Sequence, residues 1–464
     1  VHASRRCSLW LDEVWTLHDT LLPWGALLSG PSREHPPLMY WFVRASLALF
    51  GHSETALRAV SLGFGCVLLV AIYQLCRELE FDAPSSLVIV ISVALAPFFV
   101  FHAIEARHYA MLPALTTLAT VFALRLLREP DSRRSLVGFA LSAAGAGATH
   151  YFGLLYVFAL LGALAIGTFA LWKGRVQRVP ITTALVLAAL GLVLALVTAR
   201  AALLAFFYTK HRIGPGQGDL LRAARGDFAF LWNVPAAAHA EPFVAAAGLV
   251  FVGLRQKGIA RAIPFGLAFL PCLLASLIST GHFVASRYLA PSFVFYQLGA
   301  TSAFVALSNL VRGSNEYARL VRWTRRLVAA AILLVPLCLR ALQYPAAFGV
   351  GRNHYAGLQS YFTPERARTT ALVVFPAFPG MFIIQYGYPV NAPTMALEKF
   401  EPVPGIEDYV IAEFERSNQQ RSIEPLIAHH FHVSPRHWEA QPLLKLEKSE
   451  FQPPVRARLL RLER

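Results

Sequence analysis

"SLVIVISVALAPFFVFHA", residues 86–103, runs for 18 residues without one Asp, Glu, Lys or Arg. A stretch that long and that apolar suffices to cross a bilayer as a helix. The rest of the chain shares its character. Of 464 residues, 56% are hydrophobic and 15% charged, and the mean hydropathy is +0.49. A soluble domain carries about one quarter charged residues. The fold class is therefore a polytopic all-α membrane protein.

Working outward from that stretch, ten spans are visible: 57–77, 85–103, 109–127, 135–149, 152–172, 180–200, 242–255, 262–280, 289–310 and 327–344. The links between them alternate in charge. One set holds Arg77, Arg125, Arg128, Arg133, Arg134, Lys173, Arg175, Arg178, Arg255, Lys257, Arg261, Arg312, Arg319, Arg322, Arg325 and Arg326. Cations gathered in short loops mark the cytoplasmic face. The opposite face receives residues 1–56, the turns at 104–108 and 148–153, the loop 201–241, "SRYLAPS" at 286–292, and everything after residue 345.

Three domains follow: a first external loop (1–56), a membrane domain (57–344) and an extracytoplasmic C-terminal domain (345–464). "PPLMYWFVRASLALFG" (36–51) is too short to span and is interrupted by Arg44, which suits a helix lying in the interface. A chain that opens at Val1 with its first residues outside implies a preceding span, for about eleven in the full protein. Beyond residue 345, "TTALVVFPAFPGMFIIQYG" (369–387) predicts one or two buried strands in a small α/β domain.

The formal net charge is +15, but residues 345–464 are almost balanced, with 13 Lys+Arg against 12 Asp+Glu. The surplus lies in the membrane loops, where it acts as a topology signal, so a nucleic-acid partner is not expected. The five cysteines show neither a disulfide framework nor zinc spacing; Cys66, Cys76, Cys272 and Cys338 sit in apolar runs, and Cys7 stands apart.

Ionisable residues concentrate on the external face. "SLWLDEVWT" (8–16) sets Asp12 beside Glu13; "REHPP" carries Glu34 and His35; "EARHYA" carries Glu105, Arg107, His108 and Tyr109; "SRYLAP" carries Arg287 and Tyr288. His150-Tyr151, and Lys210 with Arg212 on the long loop, join them. Each has a plainer reading, as a helix-dipole partner, an interfacial ion pair, a belt aromatic or a solvated charge. Their convergence on one side favours function, because ionisable groups at a membrane boundary are costly.

With "LWLDE" first, then "HPPLMYW", "EARHYA" and "RYLAP" in that order, the chain resembles the GT-C glycosyltransferases of the protein O-mannosyltransferase and aminoarabinose-transferase type over roughly residues 8–310. The resemblance implies transfer of a sugar from a polyprenyl-phosphate carrier to an acceptor hydroxyl (of a glycan, lipid or protein) at the outer face of the cytoplasmic membrane. It implies Asp12 as the catalytic acidic residue, supported by Glu13. It also implies a divalent metal held with help from Glu34, and a donor phosphate met by the basic neighbour, here His35 where that branch has Lys. Glu105, Arg107, Tyr109, His150, Tyr151, Lys210, Arg212, Arg287 and Tyr288 are the further substrate-binding candidates. The chemistry is consistent: a hydroxyl needs a carboxylate to take its proton, the transition state has oxocarbenium character, and a leaving phosphate needs cations. The rival expectation is a multipass transporter of lipid-linked saccharides, which calls for broken helices or mid-span charges.

Overall fold

The computed structural model describes residues 11–25, 35–172, 235–279, 286–308, 361–375, 383–387, 389–396, 408–414 and 455–461, with single positions at 324, 381, 401, 403, 404 and 406. The spans read at 180–200 and 327–344 lie outside these residues, as do Glu34, Lys210 and Arg212. The chain forms two compact units: residues 24–45 with 59–341, and residues 1–23 with 46–58 and 342–464.

Helices stand where the hydropathy places them. They are α1 (Leu11–Leu21), α2 (Leu38–Phe50), α3 (Glu54–Glu78), α4 (Ala83–Ala94), α5 (Pro97–Ala103), α6 (Met111–Arg128), α7 (Arg133–Thr149), α8 (Tyr151–Trp172), α9 (Pro235–Leu254), α10 (Ile263–Ser279) and α11 (Ala290–Ser308). Among the described residues α3 and α6 are long and apolar enough to cross a membrane on their own.

The opening stretch departs from one straight helix. Its start is well set, since the Asp82 side chain accepts from the Ser85 N–H at 3.0 Å and a proline occupies the first turn. After Ala94 the chain breaks, and α5 leaves α4 at 67°. Pro97 explains the break, for it has no N–H to continue the ladder and its ring displaces the preceding turn. The bend carries His102 and the 104–110 turn away from the axis of α4.

Close approach and buried hydroxyls hold the large unit together. α9 packs along α11, and a Cβ on Gly248 would fall 1.8 Å from the Gly299 carbonyl oxygen. Only glycine at that crossing lets the two backbones meet. Ser92 on α4 bonds Thr301 on α11 at 2.9 Å, and Tyr156 on α8 bonds Ser292 on α11 at 2.8 Å. At the far end Glu78 accepts from Arg125 at 2.6 Å and from Arg128 at 2.8 Å. Those two cations also suit the negative end of α6.

The other unit contains α1 and a mixed sheet in the order β2-β1-β3-β4. Its strands are β1 (Thr370–Phe375), β2 (Thr394–Ala396), β3 (Asp408–Phe414) and β4 (Val455–Arg461). β1 runs parallel to β2 and β3, with Leu372 opposite Thr394 and Val410, while β4 returns antiparallel. Ala371–Val374 are fully buried, as expected of an apolar strand covered on both faces. Among the described residues of the apolar stretch 369–387, Thr370–Phe375 are strand. Ile383–Gly387 is a π-helical turn against α1, with Tyr386 edge-on to His18 at 4.5 Å.

Candidate functional site

The large unit brings four separated segments to one place. His35 enters just ahead of α2, followed by Pro36 and Pro37. Arg107, His108 and Tyr109 come from the turn between α5 and α6, pinned where Ser61 on α3 donates to the Arg107 carbonyl at 2.9 Å. His150 caps the C-terminus of α7. Arg287 and Tyr288 sit on the 3-10 turn Ser286–Leu289 that leads into α11.

Three imidazoles form the centre. Ring centroids lie 4.1 Å apart for His35 and His108, 4.5 Å for His108 and His150, and 4.9 Å for His35 and His150. One ring nitrogen from each falls within 4.8 Å of the others. Arg107 Nη2 donates to His35 Nε2 at 3.1 Å, and Arg287 Nε donates to the Tyr109 hydroxyl at 2.8 Å. Both guanidinium groups also lie over Tyr109, 5.8 and 5.6 Å from its ring centre, and Tyr288 is 4.8 Å from His150. His35, Arg107, His108, Tyr109 and His150 are buried, while Arg287, Tyr288 and Tyr151 are half-buried.

Glu105 is also buried, but its carboxylate accepts from His102 Nδ1 at 2.8 Å. The Glu105–Arg107 ion pair that the motif suggests does not form between their side chains. His102 is a residue that motif reading passes over. Its signal is the three-residue spacing "HAIE", which the bend after α5 brings together.

Burial dominates the electrostatics. His35 and His108 are held well below the ordinary imidazole range by loss of hydration, then by Arg107 for His35 and by the neighbouring rings and Arg107 for His108. His150 is pushed down to about 3 by burial, then by Arg107 and Arg287. All three are neutral at pH 7. Their folded pKa values lie below the unfolded value of 6.5, so the unfolded chain takes up protons first as pH falls. Their contribution to stability is complete above pH 6.5 and is lost below it, for His150 down to about pH 3, at about 1.4 kcal/mol per pH unit for each ring. The thermal midpoint of detergent-purified protein should therefore fall between pH 7 and pH 5, and less steeply in His150→Gln. A level midpoint would contradict neutral burial.

The acidic pair belongs to the other unit, in the first turn of α1. Asp12 is half-buried and Glu13 fully buried. Arg58 grips Glu13 with two bonds of 2.7 and 2.6 Å. Arg58, the cation at the start of the first apolar span, also escapes a motif reading.

Residues 34–201 match the family described as dolichyl-phosphate-mannose-protein mannosyltransferase. The fold extends the likeness over nearly the whole chain. ArnT from Cupriavidus metallidurans in the apo state matches with a TM-score of 0.58 and 14% identity, over 99% of this chain and 94% of that one. Residues 34–201 thus resemble that mannosyltransferase family, and the chain as a whole has the fold of ArnT. The same ArnT bound to undecaprenyl phosphate matches with a TM-score of 0.57 at 14% identity, over 99% and 95%. AglB from Archaeoglobus fulgidus, an archaeal oligosaccharyltransferase in complex with an inhibitory peptide and a dolichol-phosphate, matches with a TM-score of 0.50 at 14% identity, over 88% of this chain and 66% of that one. Among curated proteins no sequence match is found. The GT-C resemblance drawn from the four motifs holds, and at these identities the solved structures speak to fold.

Proposed function

We propose that this protein moves a sugar from a polyprenyl-phosphate carrier to an acceptor hydroxyl at the outer face of the cytoplasmic membrane, with inversion and with Asp12 as general base. The observation that carries the reading is the pair of guanidinium groups, Arg107 and Arg287, flanking Tyr109 beside three neutral imidazoles. A glycosyl phosphate leaves as an anion, so its departure needs cations and hydrogen-bond donors where the charge grows, not a general acid. Guanidinium groups remain charged under partial desolvation and bind phosphate oxygens in pairs. ArnT, of the same fold, has been crystallised with undecaprenyl phosphate. In this reading Lys210 and Arg212 are further cations for the same anion, and the C-terminal residues shape access for the acceptor.

The test is donor titration and turnover on purified protein with a radiolabelled polyprenyl-phosphate sugar, the donor being chosen by mass spectrometry of lipid carriers in cells with and without the gene. Arg287→Ala should weaken donor binding and slow transfer by roughly 10- to 100-fold, as expected for losing a hydrogen bond to a charged group. Arg287→Lys should rescue in part. Unchanged affinity and turnover in Arg287→Ala would assign this side chain to lipid headgroups.

One observation favours the transporter alternative: the 67° break between α4 and α5 is the kind of interruption transporters use. Transfer of label by protein in detergent, where no second compartment exists, separates the two.

A further inference from the structure

The three-histidine cluster has the spacing of a metal site, yet its hydrogen bonds oppose that use. We infer that His35, His108 and His150 form a cradle of neutral N–H donors for a phosphate oxygen, and that this cradle rejects a divalent metal. The inference rests on the carrier-phosphate reading above and adds to it which atoms of the cluster face the anion.

The tautomers follow from the partners. The Phe152 backbone N–H donates to His150 Nδ1 at 3.0 Å, so Nδ1 is the acceptor. A neutral ring with an accepting Nδ1 carries its proton on Nε2. His35 is the mirror case. Arginine can only donate, so the 3.1 Å bond from Arg107 makes His35 Nε2 the acceptor and puts the proton on Nδ1. Among the described residues, the two protonated nitrogens, His35 Nδ1 and His150 Nε2, are buried and make no hydrogen bond, and His108 Nε2 is in the same condition. Burial keeps the rings neutral, so each has one proton to place.

A metal ligand needs a bare lone pair. At His35 and His150 the nitrogens with lone pairs are already bonded to Arg107 and Phe152, and the remaining nitrogens hold protons. Loading a metal would break both bonds and set the ion among the charges of Arg107 and Arg287, which already act on these rings. An oxyanion asks for the opposite: converging N–H donors that are costly to bury unmet, backed by cations. The divalent metal expected from the resemblance therefore does not fit this cluster.

Side-chain amides separate the two roles. Gln carries an N–H where His has Nε2, Asn carries one where His has Nδ1, and neither amide replaces imidazole as a zinc ligand. The experiment uses full-length protein in detergent, dialysed against chelator, and titrates farnesyl phosphate, inorganic phosphate and Zn²⁺ separately by calorimetry. His150→Ala should bind farnesyl phosphate roughly 10- to 100-fold more weakly. His150→Gln should recover most of that loss, and His35→Asn should bind more tightly than His35→Ala. The second pair keeps the comparison alive should His150→Ala fail to fold, as judged by size-exclusion profile. Zn²⁺ should show no stoichiometric binding to any of them. The same order with inorganic phosphate assigns the cradle to the phosphate group alone, and the order with farnesyl phosphate only assigns it to a lipid phosphate; both support it. One equivalent of Zn²⁺ retained through dialysis, and lost equally in His150→Gln and His150→Ala, would overturn it. So would farnesyl phosphate binding equally weakened in those two variants, or unaffected in all four. If the histidine order holds while Arg287→Ala binds normally, the cradle stands and the role given to Arg287 fails.

Discussion

Asp12→Asn is expected to fold like the parent protein and to transfer sugar roughly 10²- to 10⁴-fold more slowly, the loss typical of a positioned base. The two neighbouring carboxylates are distinguished by their surroundings. Glu13 is wholly buried, with both oxygens taken by Arg58. Asp12, one residue earlier, is half-buried in the first turn of α1. A base must be reachable by an acceptor hydroxyl, and of the pair Asp12 is the less buried. Thr16 donates back to the Asp12 carbonyl at 3.1 Å within the first turns. Asn preserves size and hydrogen-bonding shape while removing the basicity. Initial rates with radiolabelled donor, alongside thermal midpoints, separate chemistry from folding. Parental turnover in the variant would leave Asp12 as a helix-terminus residue and move the search for the base elsewhere.

Hydropathy and local motifs carried much of this organisation, and their failures have physical causes. Span positions were legible because apolar length is a local property, so α3, α6 and α8 lie within a few residues of the runs that announce them. The break at Pro97 was legible in principle, but composition averages over a single proline. The grouping of Arg107, Arg287, His35 and His150 was legible because all four stand on one predicted face, outside the spans read from hydropathy. What joins them was not. Which ring donates and which accepts depends on the Phe152 amide and the Arg107 guanidinium, contacts that no spacing encodes. Glu105 shows the limit of short motifs: proximity to Arg107 suggested a pair, whereas His102, three residues earlier at the end of α5, claims the carboxylate.

Arg58→Ala is expected to destabilise the protein by about 3–5 kcal/mol, because it takes the guanidinium away from a fully buried Glu13 carboxylate. The pair is closed on both sides. Arg58 Nε and Nη2 meet the two Glu13 oxygens at 2.7 and 2.6 Å, and the side chains are 1% and 0% exposed. Glu54 stands 4.0 Å from Nη1, one turn earlier on α3. That third group makes the two halves unequal: Glu13→Gln leaves Arg58 near a carboxylate, whereas Arg58→Ala leaves Glu13 without its guanidinium. Glu13→Gln should therefore cost less. Buried ion pairs are also replaceable when both partners go together, since apolar side chains of similar volume avoid the desolvation cost. Glu13→Leu with Arg58→Met should regain most of the midpoint lost in Arg58→Ala. The turnover of this double variant then decides what Glu13 does. If Glu13 supports Asp12 by fixing α1 against α3, activity returns together with stability. A stable double variant without transfer would instead give the Glu13 carboxylate a part in the reaction itself.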